Sequence, residues 1–123
     1  MQLNFERPDY EFSLRGANGD SALVNDRRLD RSFIVAPDKL VEDWPVREVD
    51  ALTPADLEAL LALRPEVIIL GTGAVQAFPP METMAACLGR GIGLEAMTNS
   101  AAARTFNVLA AEGRRVVAGF VIS

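Results

Sequence analysis

Two short polar segments contain the residue types that could hold an anion. The first is Gly71-Thr72-Gly73, which directly follows a run of apolar residues. Glycines at the carboxyl end of a buried strand let backbone N–H groups approach an anion closely. The second is the segment 98–107, which adds a cation, Arg104, and the polar side chains Thr98, Ser100 and Asn107. Together these residues predict an anion-binding crevice where the two segments meet.

Each segment also has a simpler interpretation. The glycines fit a tight turn that needs positive φ. They are not a dinucleotide-binding fingerprint, because Gln76 stands where the third glycine is required, and no Gly-Lys-Ser/Thr follows as in a P-loop. Arg104 is expected in or near the first turn of a helix, where a cation opposes the helix dipole. An ion pair with Glu95 on the preceding strand would compensate it as well as a bound anion would, so both interpretations stay open.

Few residues offer catalytic chemistry, so we predict no catalytic residue, no metal site and no cofactor. The chain has no histidine, which excludes a Ser-His-Asp triad, a Cys-His nucleophile and any histidine-based zinc site. The single cysteine, Cys87, is expected to be a buried structural thiol rather than a nucleophile. The acidic stretch around Trp44 lacks the alternating oxygen ligands of a calcium loop and is interpreted as a solvated face.

Composition limits the classes of partner. The 123 residues predict a single domain, 1–123, in which residues 1–9 form a loosely ordered lead-in. A net charge of -5 argues against nucleic-acid binding, and Arg27, Arg28 and Arg31 are interspersed with acidic residues, which favours a mixed solvated surface over a basic patch. No signal peptide or membrane-spanning run is evident, so we expect a cytoplasmic protein without membrane insertion. A monomer or a homodimer would fit equally well.

The first half of the chain predicts a β-meander and an edge strand. Alternating apolar residues favour a strand from Tyr10 to Arg15, Asn18-Gly19 a turn, and residues 22–24 and 32–35 the next two strands. Residues 40–46 could form a short edge strand before Pro45. Within it, Trp44 is either an exposed contact for a protein partner or, as we favour, a buried structural residue.

The second half alternates helices and strands. Thr53-Pro54 begins a helix that Pro65 ends, and residues 67–70 form a strand covered on both faces. A second helix starts near Met81 and has apolar residues at helical spacing: Met81, Met84, Ala85 and Leu88. A strand at 94–97, a helix to about Glu112 and a strand at 116–122 follow. This order predicts an α/β fold of three layers with a mixed central sheet and about three helices.

Several segments resemble one known family: Glu66–Gly73, Phe78-Pro79-Pro80 and Ala101–Arg114, together with Asp26–Leu29 and Ser32–Val35 of the first half. It is the family of small single-domain bacterial and archaeal proteins that includes a mitochondrial assembly factor for respiratory complex I. The resemblance covers nearly the whole chain and implies a three-layer fold, with no established enzymatic activity. Family members often carry an aspartate near position 99 and a cysteine before the arginine. Here Asn99 and Ala103 stand there, which argues against thiol chemistry.

The resemblance and the missing catalytic groups lead to one function and one alternative. We expect a non-enzymatic protein-interaction domain, similar to an assembly factor, whose protein partner is unidentified. The alternative is a protein or enzyme that binds a small anion or phosphometabolite through Gly71, Thr72, Gly73, Thr98, Ser100, Arg104 and Asn107.

Overall fold

A computed structural model describes residues 10–123, and the predicted lead-in over residues 1–9 lies outside this part of the chain. The described residues form eight strands, three α-helices and a short 3₁₀ turn. The strands are β1 Leu14–Ala17, β2 Ala22–Val24, β3 Arg27–Leu29, β4 Phe33–Ala36, β5 Lys39–Val41, β6 Val67–Gly71, β7 Gly93–Met97 and β8 Val116–Phe120. The helices are α1 Pro54–Leu61, α2 Met81–Leu88 and α3 Asn99–Ala111.

The strands make two sheets. The smaller one is the antiparallel meander β1-β2-β3, and the larger one has the order β5-β4-β8-β6-β7. In the larger sheet β6 runs parallel to both β7 and β8, whereas β4 is antiparallel to β8 and β5, so the sheet is mixed. The predicted mixed sheet with an N-terminal meander and three helices is therefore confirmed.

Three layers follow from the burial on the two faces of the larger sheet. On one face, α1 and α2 cover a cluster that includes Ile34, Ile68 and Leu70. On the other, α3 and the meander cover a cluster around Phe33, Phe106 and Phe120. Phe33 and Phe120 face each other on β4 and β8 with ring centroids 4.9 Å apart, a stacked pair at the centre of that layer. Strand β6 is buried on both faces, as its continuous apolar run predicts.

The first half departs from the prediction in two ways. The first strand begins at Leu14 rather than Tyr10. The N–H groups of Glu11 and Phe12 both donate to the carbonyl of Pro37 and so do not pair with β2. The third strand of the meander is β3, since Asn25 at φ 52° closes a two-residue turn that pairs Val24 with Arg27. The strand predicted at 32–35 is β4 and belongs to the larger sheet.

The ends of the helices are set by local chemistry. Thr53 and Asp56 form a reciprocal capping box at the start of α1, as predicted. The helix ends at Leu61 rather than at Pro65, because Arg64 adopts φ 57° and already leaves the helical path. The predicted edge strand over 40–46 is confined to β5, and Trp44 lies beyond it.

The second helix places large apolar residues outward. Helix α2 begins at Met81 as expected, but the residues that it buries are Thr83 and Cys87. Met81 and Leu88, two of the apolar residues at helical spacing, point to solvent. The buried Thr83 hydroxyl donates to the carbonyl of Leu52 at 2.6 Å, which satisfies the polar group on the inward face.

Candidate functional site

The Gly71–Gly73 turn and the start of α3 come together as predicted, and the side chain of Asn99 lies between them. Its Oδ1 accepts a hydrogen bond from the Gly73 N–H at 3.0 Å, and its Nδ2 donates to the carbonyls of Asn18 at 2.9 Å and Val121 at 3.0 Å. Asn99 has no exposed surface. It therefore fills the space in which an anion was expected to sit against the glycines.

The two glycines have different roles. Gly73 adopts φ 103°, which agrees with a turn that needs positive φ. Gly71 lies within β6, and a Cβ there would come within 2.4 Å of Asn99 Oδ1 and 3.0 Å of the Phe120 ring. Gly71 is thus required by the close approach of Asn99, a constraint that the sequence pattern alone did not reveal.

The polar groups of Thr72 form hydrogen bonds within its own turn and with β7. Its N–H donates to the carbonyl of Met97 at 2.8 Å. Its hydroxyl lies 2.8 Å from the carbonyl of Val75 and accepts a hydrogen bond from the Ala77 N–H at 3.2 Å. These bonds fold the loop after β6 back onto β7 and leave the hydroxyl fully used within the chain.

Arg104 lies in the second turn of α3, just after the first turn, in or near which it was predicted. Its Nη1 donates to the hydroxyl of Ser100 at 2.9 Å, and the guanidinium is exposed. The expected ion pair with Glu95 is not formed, and within residues 10–123 no carboxylate pairs with Arg104. Thr98 is the N-cap of α3 and accepts from the Ala101 N–H at 3.2 Å. Of the predicted anion-binding residues, Ser100 and Arg104 are the pair in direct contact.

Asn107 faces away from the crevice. Its side-chain amide forms two hydrogen bonds with the backbone of Leu14, on the first strand of the meander. This pairing satisfies both ends of the amide and gives Asn107 a structural role. Anion binding by the other predicted residues stays a prediction. Its one cation is Arg104, which no carboxylate within residues 10–123 pairs with.

Trp44 is buried, so the hypothesis of an exposed tryptophan contact is wrong. The indole keeps 4% of its surface, and its Nε1–H donates to the carbonyl of Asp56 at 3.1 Å. The ring packs over β8, where a Cβ on Gly119 would come within 2.7 Å of it. Trp44 contributes to the wall of an open groove of about 780 Å³. The ionisable side chains of that groove carry both signs: Asp30, Asp43, Glu48 and Asp56 against Arg31 and Arg47.

Cys87 is buried against the sheet under α2. Burial raises the pKa of the Cys87 thiol, and the nearby Arg90 charge only partly opposes this effect. The thiol therefore stays protonated at neutral pH, in agreement with the expected structural role. Among residues 10–123, no three acidic or cysteine side chains lie close enough together to hold a metal ion.

An exposed apolar surface lies beside the turn and was missed from the sequence. It consists of four large side chains on the loop after β6 and on α2, which we call the loop–helix surface: Val75, Phe78, Met81 and Leu88. They retain 74%, 64%, 86% and 68% of their surface. The helical spacing of Met81 and Leu88 does not reveal their direction, because an apolar stripe has the same period whether it faces the core or a partner.

None of the helices formed by residues 10–123 has the length and hydrophobicity that a membrane crossing requires. The longest, α3, has 13 residues.

Comparison with known proteins places these features in a family. A model described as "protein of unknown function (DUF498/DUF598)" matches residues 14–121. A solution structure of a Xanthomonas campestris protein is 58% identical, covers 99% of this chain and 92% of its own, and superposes with a TM-score of 0.85. A Bordetella pertussis protein described as an Mth938-like domain is 30% identical, with coverages of 98% and 92% and a TM-score of 0.80.

One curated relative has a descriptive name. A Francisella tularensis protein called "13 kDa major membrane protein" is 31% identical over 71 residues. The matched segment spans 58% of this chain and 58% of that relative.

Proposed function

The chain belongs to the DUF498/DUF598 family of proteins of unknown function, and from that premise we propose that it acts as a protein-interaction domain of the assembly-factor kind. Family membership and the Mth938-like neighbour confirm the resemblance drawn from the sequence. The proposal rests on one observation: the large apolar side chains of the loop–helix surface are more exposed than buried. Met81 and Leu88 are seven positions apart on α2 and share one face of it, and exposed apolar surface of this kind is typical of a contact with another molecule.

The loop–helix surface is held in shape without a partner. Pro79 and Pro80 precede α2 and restrict the backbone between Phe78 and Met81. The Thr72 hydroxyl fixes the loop at Val75 and Ala77. Thr83 and Cys87 anchor the opposite side of α2 to the core. Because the scaffold is rigid, a partner would lose little free energy in ordering it.

Charge favours a protein over an anionic bilayer as the partner. Glu82 on α2 and Glu95 on the neighbouring strand β7 are both exposed, and neither has a basic partner within residues 10–123. Glu82 lies on the helix of the loop–helix surface, where an acidic side chain repels anionic lipid headgroups. Glu95 lies on the other face of the sheet, since its register partner Ile69 belongs to the cluster under α3. The name of the Francisella relative refers to a membrane, so a lipid surface is the competing occupant to be tested.

Site-specific photo-crosslinking tests this proposal. A photoreactive amino acid replaces Met81 in one variant and Val108, an exposed apolar residue of α3, in a matched control. We expect the Met81 variant, expressed in the native cell, to crosslink to one protein that the Val108 variant does not capture. With that protein purified, Phe78→Ser combined with Met81→Ser should weaken binding at least tenfold, and Val108→Ser should leave it unchanged. Crosslinking to lipid instead, or equal capture from both positions, would overturn the proposal.

The alternative function, binding of a small anion or phosphometabolite, has one observation in its favour. Arg104 is an exposed cation whose only side-chain hydrogen bond among residues 10–123 is with Ser100. Against it, the N–H groups of Thr72 and Gly73 already donate within the chain. We therefore keep anion binding as the second candidate, and comparing ligand binding by wild type and Arg104→Ala distinguishes the two functions.

A further inference from the structure

Strand β7 is an edge of the larger sheet and pairs on one side only, with β6. The Thr72 N–H donates to the Met97 carbonyl, so the backbone groups of Met97 point toward β6. Since backbone direction alternates along a strand, Leu94 and Ala96 present their N–H and C=O groups to the open side. The outer edge of β7 therefore offers hydrogen bonds that the described residues, 10–123, do not use.

One of these outward groups, the carbonyl of Ala96, already accepts a hydrogen bond, so the unpaired part of the edge ends there. The side-chain amide of Gln76 donates to the carbonyl of Ala96 at 3.0 Å. Within residues 10–123 no hydrogen bond is formed by the N–H and C=O of Leu94 or by the N–H of Ala96 on this side. The N–H and C=O of Leu94 and the N–H of Ala96 thus remain available to hydrogen-bond an extended chain next to Gln76.

The two edges of the sheet are protected differently. Edge strand β5 has three residues, begins with Lys39 and follows Asp38, which pairs with Arg115. Short length and charge of this kind prevent another chain from adding to an edge. Edge strand β7 has five residues without proline or lysine, and its one charge is Glu95. Within residues 10–123, β7 is accordingly the open edge of the larger sheet, and it lies against α2, the helix of the loop–helix surface.

We propose that the outer edge of β7 binds an extended segment of a partner protein by strand addition, and that this segment carries a lysine or arginine opposite Glu95. Main-chain hydrogen bonds to Leu94 and Ala96 supply the pairing, and cross-strand contact with Glu95 supplies the preference for a basic residue. Apolar side chains of the segment on the α2 side reach Leu88 and Met81. This inference rests on the proposed protein-interaction function and names the chemistry of its partner.

A second copy of the chain fits the edge less well. If Leu94 of one copy pairs with Ala96 of the other in an antiparallel arrangement, the two Glu95 side chains stand directly opposite each other. Like charges in that position are destabilising. The net charge of -5 adds a general repulsion between copies. A bilayer is unsuited as well, because lipid chains cannot hydrogen-bond the open backbone groups.

A display selection with random twelve-residue peptides on the purified chain tests the inference. We expect enriched peptides to share one basic residue flanked by alternating apolar residues. The best of them should slow hydrogen exchange at the Leu94 and Ala96 amides at least tenfold. Leu94→Pro removes an outward N–H and also the packing of Leu94 on the core, whereas Leu94→Ala loses the packing alone. Leu94→Pro should weaken binding at least tenfold, and Leu94→Ala should leave it unchanged. Glu95→Lys, an exposed change that should not disturb folding, should shift the selected charge to Asp or Glu.

The outcomes separate this inference from the function on which it rests. No enriched peptide, protection of amides elsewhere, or unchanged selection on Glu95→Lys would overturn strand addition. Peptides that lose affinity for Phe78→Ser combined with Met81→Ser but bind Leu94→Pro normally would overturn it too, while leaving the loop–helix surface as the docking site. A dimer that forms at high concentration and is lost in Leu94→Pro would show that the edge serves a second copy instead.

Discussion

The side-chain amide of Asn107 pairs with the backbone of Leu14 as another strand would. The Leu14 N–H donates to Asn107 Oδ1 at 2.9 Å, and Asn107 Nδ2 donates to the Leu14 carbonyl at 2.7 Å. The two residues are 93 positions apart, on α3 and on β1. Strand β1 is an edge of the meander, so this pair both satisfies its outer backbone groups and fixes the meander to the helix layer.

Replacing Asn107 by alanine should therefore destabilise the fold. The change leaves the partly buried N–H and C=O of Leu14 without partners, at a cost of roughly 2 kcal/mol in the free energy of unfolding. Urea denaturation at neutral pH measures this difference. Val108→Ala, on the exposed side of the same helix turn, is the matched control and should change stability by less than about 0.5 kcal/mol. Equal effects of the two variants would contradict a structural role for Asn107.

A side chain at Gly71 should destabilise the fold, because Asn99 lies too close to the position that its Cβ would take. A methyl group there would meet Asn99 Oδ1 at 2.4 Å and the Phe120 ring at 3.0 Å, both buried. We expect Gly71→Ala to lower the free energy of unfolding by about 2 kcal/mol, within the range for an overpacked core. Gly93→Ala on the adjacent strand is the control, since nothing lies within 4 Å of its Cβ position. If both glycines accept alanine equally, the packing argument fails.

The architecture was predictable where one physical signal dominated. The apolar run before Gly71 predicts a strand that is covered on both faces, and β6 is such a strand. The start of α1 is predicted by Thr53 and Pro54, and the hydrogen-bonding partner of Thr53, Asp56, lies within the same four residues. The assignment of strands to sheets was not predictable in the same way. Whether β3 or β4 completes the meander depends on the turn at Asn25 and on the pairing between β4 and β8, whose partner residues are 83 to 87 positions apart in the sequence.

The candidate site was harder to predict for a different reason. An asparagine at the start of a helix is usually a cap, and nothing in the sequence distinguishes Asn99, which is buried and bonded to three separate segments, from such a cap. Likewise the stripe on α2 has the period of a core-facing helix, whereas Thr83 and Cys87 are the residues that face the core. The direction of a side chain depends on tertiary packing, which periodicity does not encode.

Arg104 separates the two candidate functions. The guanidinium is exposed and bonds only Ser100 among residues 10–123, so Arg104→Ala should change stability by less than about 0.5 kcal/mol. Under the protein-interaction proposal, phosphate, nucleotides and sugar phosphates should shift the thermal midpoint equally in wild type and variant. A ligand at a hundred times its Kd should raise the thermal midpoint by on the order of 10 °C. Such a rise in wild type alone would show that anion binding, not protein interaction, is the function.

Cys87 should react with thiol reagents only when the chain unfolds. The side chain has no exposed surface, and burial raises the pKa of its thiol, so the reactive thiolate is scarce at neutral pH. Labelling with a chromogenic disulfide should be slow in buffer and complete within the mixing time in concentrated urea. The labelling rate in buffer should rise with pH above neutrality. Rapid labelling of the folded chain at pH 7 would contradict the structural assignment.

Asp38 should contribute to the free energy of unfolding at neutral pH, and this contribution should be lost in acid. The hydrogen bond from Arg115 lowers the pKa of the Asp38 carboxyl below its ordinary value of 3.8, and the Arg115 charge acts in the same direction. A carboxyl with a lowered pKa in the folded state stabilises it above the unfolded pKa, and this contribution is lost as pH falls through the folded pKa.

The variant Asp38→Asn isolates this term. Because the pair is largely exposed, we expect the variant to be less stable than wild type by only about 0.5 kcal/mol at pH 7. The difference should hold down to about pH 4 and then shrink to zero as Asp38 protonates in wild type. It should also shrink in 1 M salt, which screens exposed charges. Urea denaturation of both proteins from pH 7 to pH 2 measures it, and a difference that stays constant to pH 2 would show that Asp38 stabilises the chain through contacts independent of its charge.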